Sequence, residues 1–113
     1  MSQITTHILD TTRGLPARNV PITLFIQKGD SWEKLAGGVT NDDGRLPALL
    51  ADNVQLPAGI YRMHFETSSY FAANKENGFY PYVDIVFELD GNGGHYHIPL
   101  LLTAFGYSTY RGS

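Results

Sequence analysis

The stretch His95-Tyr96-His97-Ile98-Pro99-Leu100-Leu101-Leu102-Thr103-Ala104-Phe105-Gly106-Tyr107-Ser108-Thr109-Tyr110-Arg111-Gly112-Ser113 carries two patterns at once. Ile98, Leu100 and Leu102 share one parity of an extended chain and His97, Pro99 and Leu101 share the other. A strand here buries an aliphatic face and turns a histidine to the opposite side. Phe105-Gly106 supplies a tight return, because glycine tolerates positive φ. After it, Tyr107 and Thr109 alternate with Ser108 and Tyr110, which suits a second strand paired to the first as a hairpin. Tyr110-Arg111-Gly112-Ser113 continues that pattern without a spacer, where a terminal tail is ordinarily frayed. The expectation is that the carboxylate end lies against the face bearing His97, bringing a phenol, a guanidinium and a hydroxyl near an imidazole.

The rest of the chain reads as short strands separated by turns. Ile4 to Asp10 is a first strand, with Ile4 and Ile8 on one parity and Thr5, His7 and Leu9 on the other. Thr11 to Pro16 is turn chemistry, and Val20, Ile22, Leu24 and Ile26 then alternate with Thr23 and Phe25. Trp32 to Thr40 is a less clearly patterned strand, in which Gly37-Gly38 suggests a bulge or a close backbone approach. Asn41-Asp42-Asp43-Gly44 is the strongest turn signal and aims Arg45 from a fixed corner. In Ile60 to Thr67, Tyr61, Met63 and Phe65 face one way and Arg62, His64 and Glu66 the other, so His64 lies among charges and is assigned no role. Ser68 or Ser69 caps a short helix over Tyr70 to Asn77, stopped by Gly78. Val83 to Leu89 is another strand, turned by Asp90 to Gly94 into the closing hairpin. Seven or eight short strands with one short helix indicate an all-β antiparallel sandwich.

Composition narrows the function. One domain is the expectation for 113 residues, enough to bury about two-thirds of the unfolded surface. Charged residues make up 17% of the chain, below the usual ~25%, which implies a surface partly covered by another subunit. The formal charge is -3 and the eight Lys and Arg are scattered, so no basic stripe is available for nucleic acid. No apolar run approaches the ~18 residues that cross a bilayer, and no secretory leader is recognisable, so no membrane partner and a soluble cytoplasmic protein are expected. The absence of cysteine excludes disulfides, a thiol nucleophile and thiolate zinc sites.

Thr6-His7-Ile8-Leu9-Asp10-Thr11-Thr12-Arg13-Gly14-Leu15-Pro16-Ala17, the Asp43-Gly44-Arg45 turn, the His95 to Leu102 strand and Tyr107 to Ser113 together resemble the transthyretin-related 5-hydroxyisourate hydrolases, over essentially the whole chain. Transthyretin shares the fold of these enzymes but lacks the terminal Tyr-Arg-Gly-Ser and the corresponding histidines and arginine. The resemblance implies a transthyretin-like β-sandwich over residues 1–113 that hydrolyses 5-hydroxyisourate to 2-oxo-4-hydroxy-4-carboxy-5-ureidoimidazoline in urate degradation, without a cofactor. It further implies a homotetramer with sites in a channel between dimers. His7, Arg45, His97 and Tyr110 fall on the family's catalytic positions. These four together with Arg111, Gly112 and Ser113 fall on its substrate-binding positions. Thr103 stands where many members have serine, and Gly93-Gly94 softens the loop before His95.

Taken singly, His7 and His97 are ordinary strand histidines. Shared parity changes this, since His7 accompanies Leu9, His97 accompanies Leu101, and Tyr110 accompanies Ser108 and Gly112. Leucines covered by a partner subunit would wall a dry site. Imidazoles that titrate near neutrality suit water activation, and Arg45 suits an anionic substrate, with Arg111 as a second cation. Two alternatives use the same residues: a metal held by His95, His97 and His7, and a noncatalytic carrier of small ligands. No acid or cysteine completes the metal set, and a carrier has no need of the tail.

Overall fold

The computed structural model describes residues 2–112, so Ser113 lies outside the described residues. Among the described residues eight strands and one helix are formed: β1 (Ile4–Asp10), β2 (Leu15–Pro16), β3 (Pro21–Lys28), β4 (Ser31–Val39), β5 (Gly59–Phe65), α1 (Thr67–Ala73), β6 (Val83–Leu89), β7 (Tyr96–Leu102) and β8 (Tyr107–Thr109). They make two four-stranded sheets, ordered β2-β1-β7-β8 and β4-β3-β5-β6. Strand alternation sends Ile4 and Ile8 of β1, Ile22 and Leu24 of β3, Tyr61, Met63 and Phe65 of β5, and Ile98, Leu100 and Leu102 of β7 into one core between the sheets. Each such side chain stabilises the sandwich by roughly 1.5–3 kcal/mol relative to exposure.

All sheet pairings are antiparallel except one. β1 and β7 run parallel, in a register that sets Thr5 beside His97, His7 beside Pro99 and Leu9 beside Leu101. The antiparallel sandwich expected from the sequence is formed, with this one parallel pair inside it. Residues paired across a ladder point to the same side, so this register decides which side chains of β1 meet which of β7.

Two local expectations also change. The extra residue of β4 is Leu35, since the register shifts between Leu24, opposite Ala36, and Phe25, opposite Lys34. Gly37 and Gly38 keep their places in the ladder, opposite Thr23 and Ile22. They serve close approach instead: a Cβ at Gly38 would lie 2.8 Å from Leu46 Cδ1. The helix begins at Thr67 rather than Tyr70 and has no side-chain cap at Glu66. The Ser68 hydroxyl donates to the Glu66 carboxylate (2.9 Å) and that of Ser69 to the Glu66 carbonyl (3.2 Å). The left-handed residue after the helix is Lys75 (φ 58°), while Gly78 packs directly against the Phe71 ring.

Candidate active site

The outward face of the β1–β7 pair collects the imidazoles. Thr5, His7 and Leu9 alternate with the buried residues of β1, and His97 and Leu101 do the same on β7. Arg45 is delivered from the turn after β4. Asn41 builds that turn with one side-chain oxygen, which accepts from the backbone N–H groups of Asp43 (2.9 Å) and Arg45 (3.0 Å). Gly44, at φ 71°, completes it; a Cβ there would lie 2.5 Å from the Ile8 carbonyl oxygen. The Ile8 N–H donates to the Gly44 carbonyl at 2.8 Å, and Arg45 pairs with His7 in an isolated antiparallel bridge. The turn is thus sewn to β1 at the residue next to the first histidine.

The electrostatics follow from this placement. Burial pushes the His7 imidazole below the usual histidine value, and the Arg45 guanidinium pushes it further in the same direction; a backbone hydrogen bond and the charge of Asp43 oppose both. His97 is lowered by burial first, then by Arg45, His7 and His95. One guanidinium therefore acts on both imidazoles and, with burial, favours the neutral form of each. A neutral imidazole is a base, and a neighbouring fixed cation is a receptor for developing negative charge.

The tail reaches this face through its backbone. The Gly112 N–H donates to the His97 carbonyl at 2.8 Å, and a Cβ at Gly112 would lie 2.6 Å from His97 Cδ2. The position admits no side chain because the imidazole occupies its space. Counting back from the Gly112–His97 bridge, Tyr110 shares the parity of His97, but it is 61% exposed. Arg111 has the other parity. Its guanidinium lies 4.5 Å from the centre of the Tyr96 ring, at the mouth of a cleft of about 240 Å³ that opens between β6 and β8. The structure thus unites His7, His97, Arg45 and the Gly112 backbone, and sets the Arg111 guanidinium on Tyr96 in a cleft whose lining also includes His97 and Tyr110.

A residue without a sequence-level assignment also belongs here. The Thr5 hydroxyl lies 2.9 Å from His97 Nδ1 and 3.1 Å from His95 Nε2. Its parity with His7 is the one signal in the sequence, but its meeting with His97 depends on the parallel register. These contacts engage one nitrogen each of His95 and His97 with a hydroxyl. A larger groove of about 530 Å³ lies between Arg13, Arg18, Asp42 and Asn74, away from all the histidines. Its arginines are already paired, Arg13 with Glu76 at 2.8 Å and Arg18 with Asp42 at 3.9 Å.

Residues 4–112 match the model of a family described as the HIUase/Transthyretin family. A probable 5-hydroxyisourate hydrolase of Caenorhabditis elegans is 42% identical over 112 residues, covering 99% of this chain and 82% of that protein. Among solved structures, 5-hydroxyisourate hydrolase from Klebsiella pneumoniae superposes with a TM-score of 0.85 at 38% identity, covering 97% of this chain and 98% of that one. Sea bream transthyretin in complex with thyroxine gives a TM-score of 0.91 at 32% identity, covering 98% and 95%.

Proposed function

Because the chain belongs to the HIUase/Transthyretin family, we propose that the outer face of its β1–β7 pair is the active site of a 5-hydroxyisourate hydrolase. The protein hydrolyses 5-hydroxyisourate in urate degradation. The observation that carries the site assignment is the placement of Arg45, bridged to His7 of β1, beside the strand pair whose outward face also bears His97 of β7.

In this reading His7 and His97 take a proton from the attacking water, whose oxygen bonds to the ring carbonyl carbon. Arg45 attracts the negative charge that develops on the carbonyl oxygen. Collapse of the tetrahedral intermediate breaks the carbon–nitrogen bond of the ring, and the imidazolium returns its proton to the departing nitrogen. Base catalysis of this kind contributes roughly 10²- to 10⁴-fold. Tyr110, Arg111, Gly112 and Ser113 complete the substrate-binding set. Gly112 supports the tail through its contact with the His97 ring, and Arg111 anchors it against Tyr96.

The same proposal includes a homotetramer in the cytoplasm. Leu9 and Leu101 lie half-buried beside the imidazoles, and β6 and β8 each stand at the edge of a sheet. A second copy covering this face would dry the site. Sedimentation is expected to give a tetramer, and Leu101→Glu is expected to split it and abolish turnover together. A fully active monomer would sink the shared site.

The likeness to thyroxine-bound transthyretin favours a second reading, a carrier on the same scaffold. The ultraviolet decay of freshly generated 5-hydroxyisourate separates the two. The wild-type protein is expected to accelerate it and a protein lacking residues 110–113 is expected to lose most of that acceleration. No acceleration by the wild type would overturn the enzyme, and an undiminished rate in the shortened protein would remove the tail from the mechanism.

A further inference from the structure

Thr5 stands between two histidines on the assigned face, and its chemistry is restrictive. A threonine hydroxyl carries one hydrogen, so it can donate to only one of two imidazole nitrogens while accepting from the other. His97 Nδ1 at 2.9 Å and His95 Nε2 at 3.1 Å are both within hydrogen-bond reach of the same Oγ1. At most one of these nitrogens is therefore bare, and in the arrangement that uses the hydroxyl hydrogen the other is protonated. Engagement of Nδ1 leaves Nε2 as the His97 nitrogen available to water or substrate. Cδ2, bonded to Nε2, is the ring atom against which Gly112 closes.

His95 is exposed, yet it is not a loose loop residue. The Gln3 side-chain amide donates to the Gly94 carbonyl at 3.1 Å, and the Tyr96 N–H donates to the Gln3 carbonyl at 2.9 Å. Both flanks of His95 are thus tied to the start of β1, two residues from Thr5. The outcome is a continuous line from a partly buried imidazole, through one hydroxyl, to an imidazole in contact with solvent.

We propose that Thr5 is a positioning residue that sets the tautomer of His97 and joins it to His95 as a proton exit from the active site. This rests on the hydrolase reading of the same face. Opening a cyclic amide with water produces a carboxylic acid, which loses a proton near neutral pH, so one proton has to leave per turnover. In the relay, once the departing nitrogen has been protonated, the new carboxylic acid gives its proton to His97 Nε2. His97 then passes the Nδ1 hydrogen to Thr5 Oγ1, and Thr5 passes its own hydrogen to His95 Nε2. His95 discharges one proton to solvent, and exchange with solvent restores the starting tautomers. No atom is lost and no other reactant is needed. The groups acting on His97 favour departure of the proton: Arg45 from the turn after β4, His7 from β1 and His95 from its own strand's approach, with burial in the same direction.

The test compares Thr5→Val, which keeps the shape and removes the hydroxyl, with Thr5→Ser, which keeps the hydroxyl, using 5-hydroxyisourate between pH 5.5 and 8.5. Thr5→Val is expected to lower kcat by about tenfold with KM little changed and a shifted pH profile, and Thr5→Ser to return to within about threefold of the wild type. His95→Gln is expected to lose kcat as well and to recover part of it when free imidazole is added. Unchanged kcat and pH profile in Thr5→Val, equal damage in both Thr5 variants, or no rescue of His95→Gln would overturn the relay. In each case wild-type turnover would leave the hydrolase reading standing. A histidine nitrogen spectrum of the wild-type protein needs no variant: complementary protonation of His97 Nδ1 and His95 Nε2 supports the relay, and like protonation of both overturns it.

Discussion

The two sheets each turn a histidine-bearing strand outward, and they surround the imidazoles with opposite charges. On the β1–β7 face, His7 and His97 share the guanidinium of Arg45, and the groups acting on His97 are all cations or other imidazoles. On the β5–β6 face, His64 Nδ1 lies 2.6 Å from the Asp84 carboxylate and Nε2 lies 3.4 Å from that of Glu66, with the Tyr82 ring 5.0 Å away. The cation of that face, Arg62, is flanked by the rings of Phe25 and Trp32 at 4.5 and 4.6 Å. Strand geometry presents all three histidines in the same way. The difference lies in what surrounds them: carboxylates engage both nitrogens of one ring, while burial and then a cation favour the neutral form of the other two.

The largest break in that contrast is expected from Arg45→Ala, which removes the guanidinium proposed to receive the developing charge. Turnover of 5-hydroxyisourate should fall by roughly 10²- to 10³-fold, as when an oxyanion donor is lost, while circular dichroism stays that of the wild type. Near-normal turnover would remove Arg45 from the mechanism. Next in size is Gly112→Ala. The new methyl group would meet the His97 ring, with Cδ2 only 2.6 Å away, and a displacement of that order costs up to about 10²-fold when a catalytic group loses its alignment. A crystal structure of the variant with His97 unmoved and full activity would contradict the steric account.

A smaller and more diagnostic effect concerns pH. Burial and Arg45 both disfavour the charged forms of His7 and His97, so each ring stays neutral to a pH below the ordinary 6.5. Activity that needs the neutral form is therefore retained at pH 6.5 and lost as pH falls further. The acid limb of kcat/KM should lie below 6.5 in the wild type and move upward in Arg45→Gln, which keeps the burial but removes the charge. A wild-type limb above 6.5 would contradict the electrostatics. The smallest effect is expected from His64→Ala, whose partly exposed contacts with Asp84 and Glu66 contribute about 1 kcal/mol or less to stability. Its melting temperature should shift by only a few degrees, and a collapse of the fold would assign His64 a structural weight that the contacts do not suggest.

Alternation alone makes much of this arrangement legible in the sequence. Ile4 and Ile8 against His7, and Ile98, Leu100 and Leu102 against His97, place the imidazoles outside the core by parity, and the Asn41 to Gly44 turn holds Arg45 as its residues require. The parallel pairing of β1 with β7 is not legible, because nothing local in either strand records a partner some ninety positions away. Thr5 stays hidden for that reason. The tail illustrates a second limit. Tyr110 to Ser113 reads as one chemical unit, but a strand has period two, so Arg111 turns to Tyr96 while Gly112 meets His97. Leu35 and Lys75 are cases in which packing overrides the glycines nearby: Gly38 is needed against Leu46 and Gly78 against Phe71.

The most direct measurement is a histidine-by-histidine comparison of 5-hydroxyisourate decay, made with His7→Ala, His97→Ala and His64→Ala side by side at pH 7. The first two are expected to lose roughly 10²-fold or more in rate, and the third to remain within about twofold of the wild type. Normal turnover in His7→Ala or His97→Ala, or an equal loss in His64→Ala from a folded protein, would contradict the account.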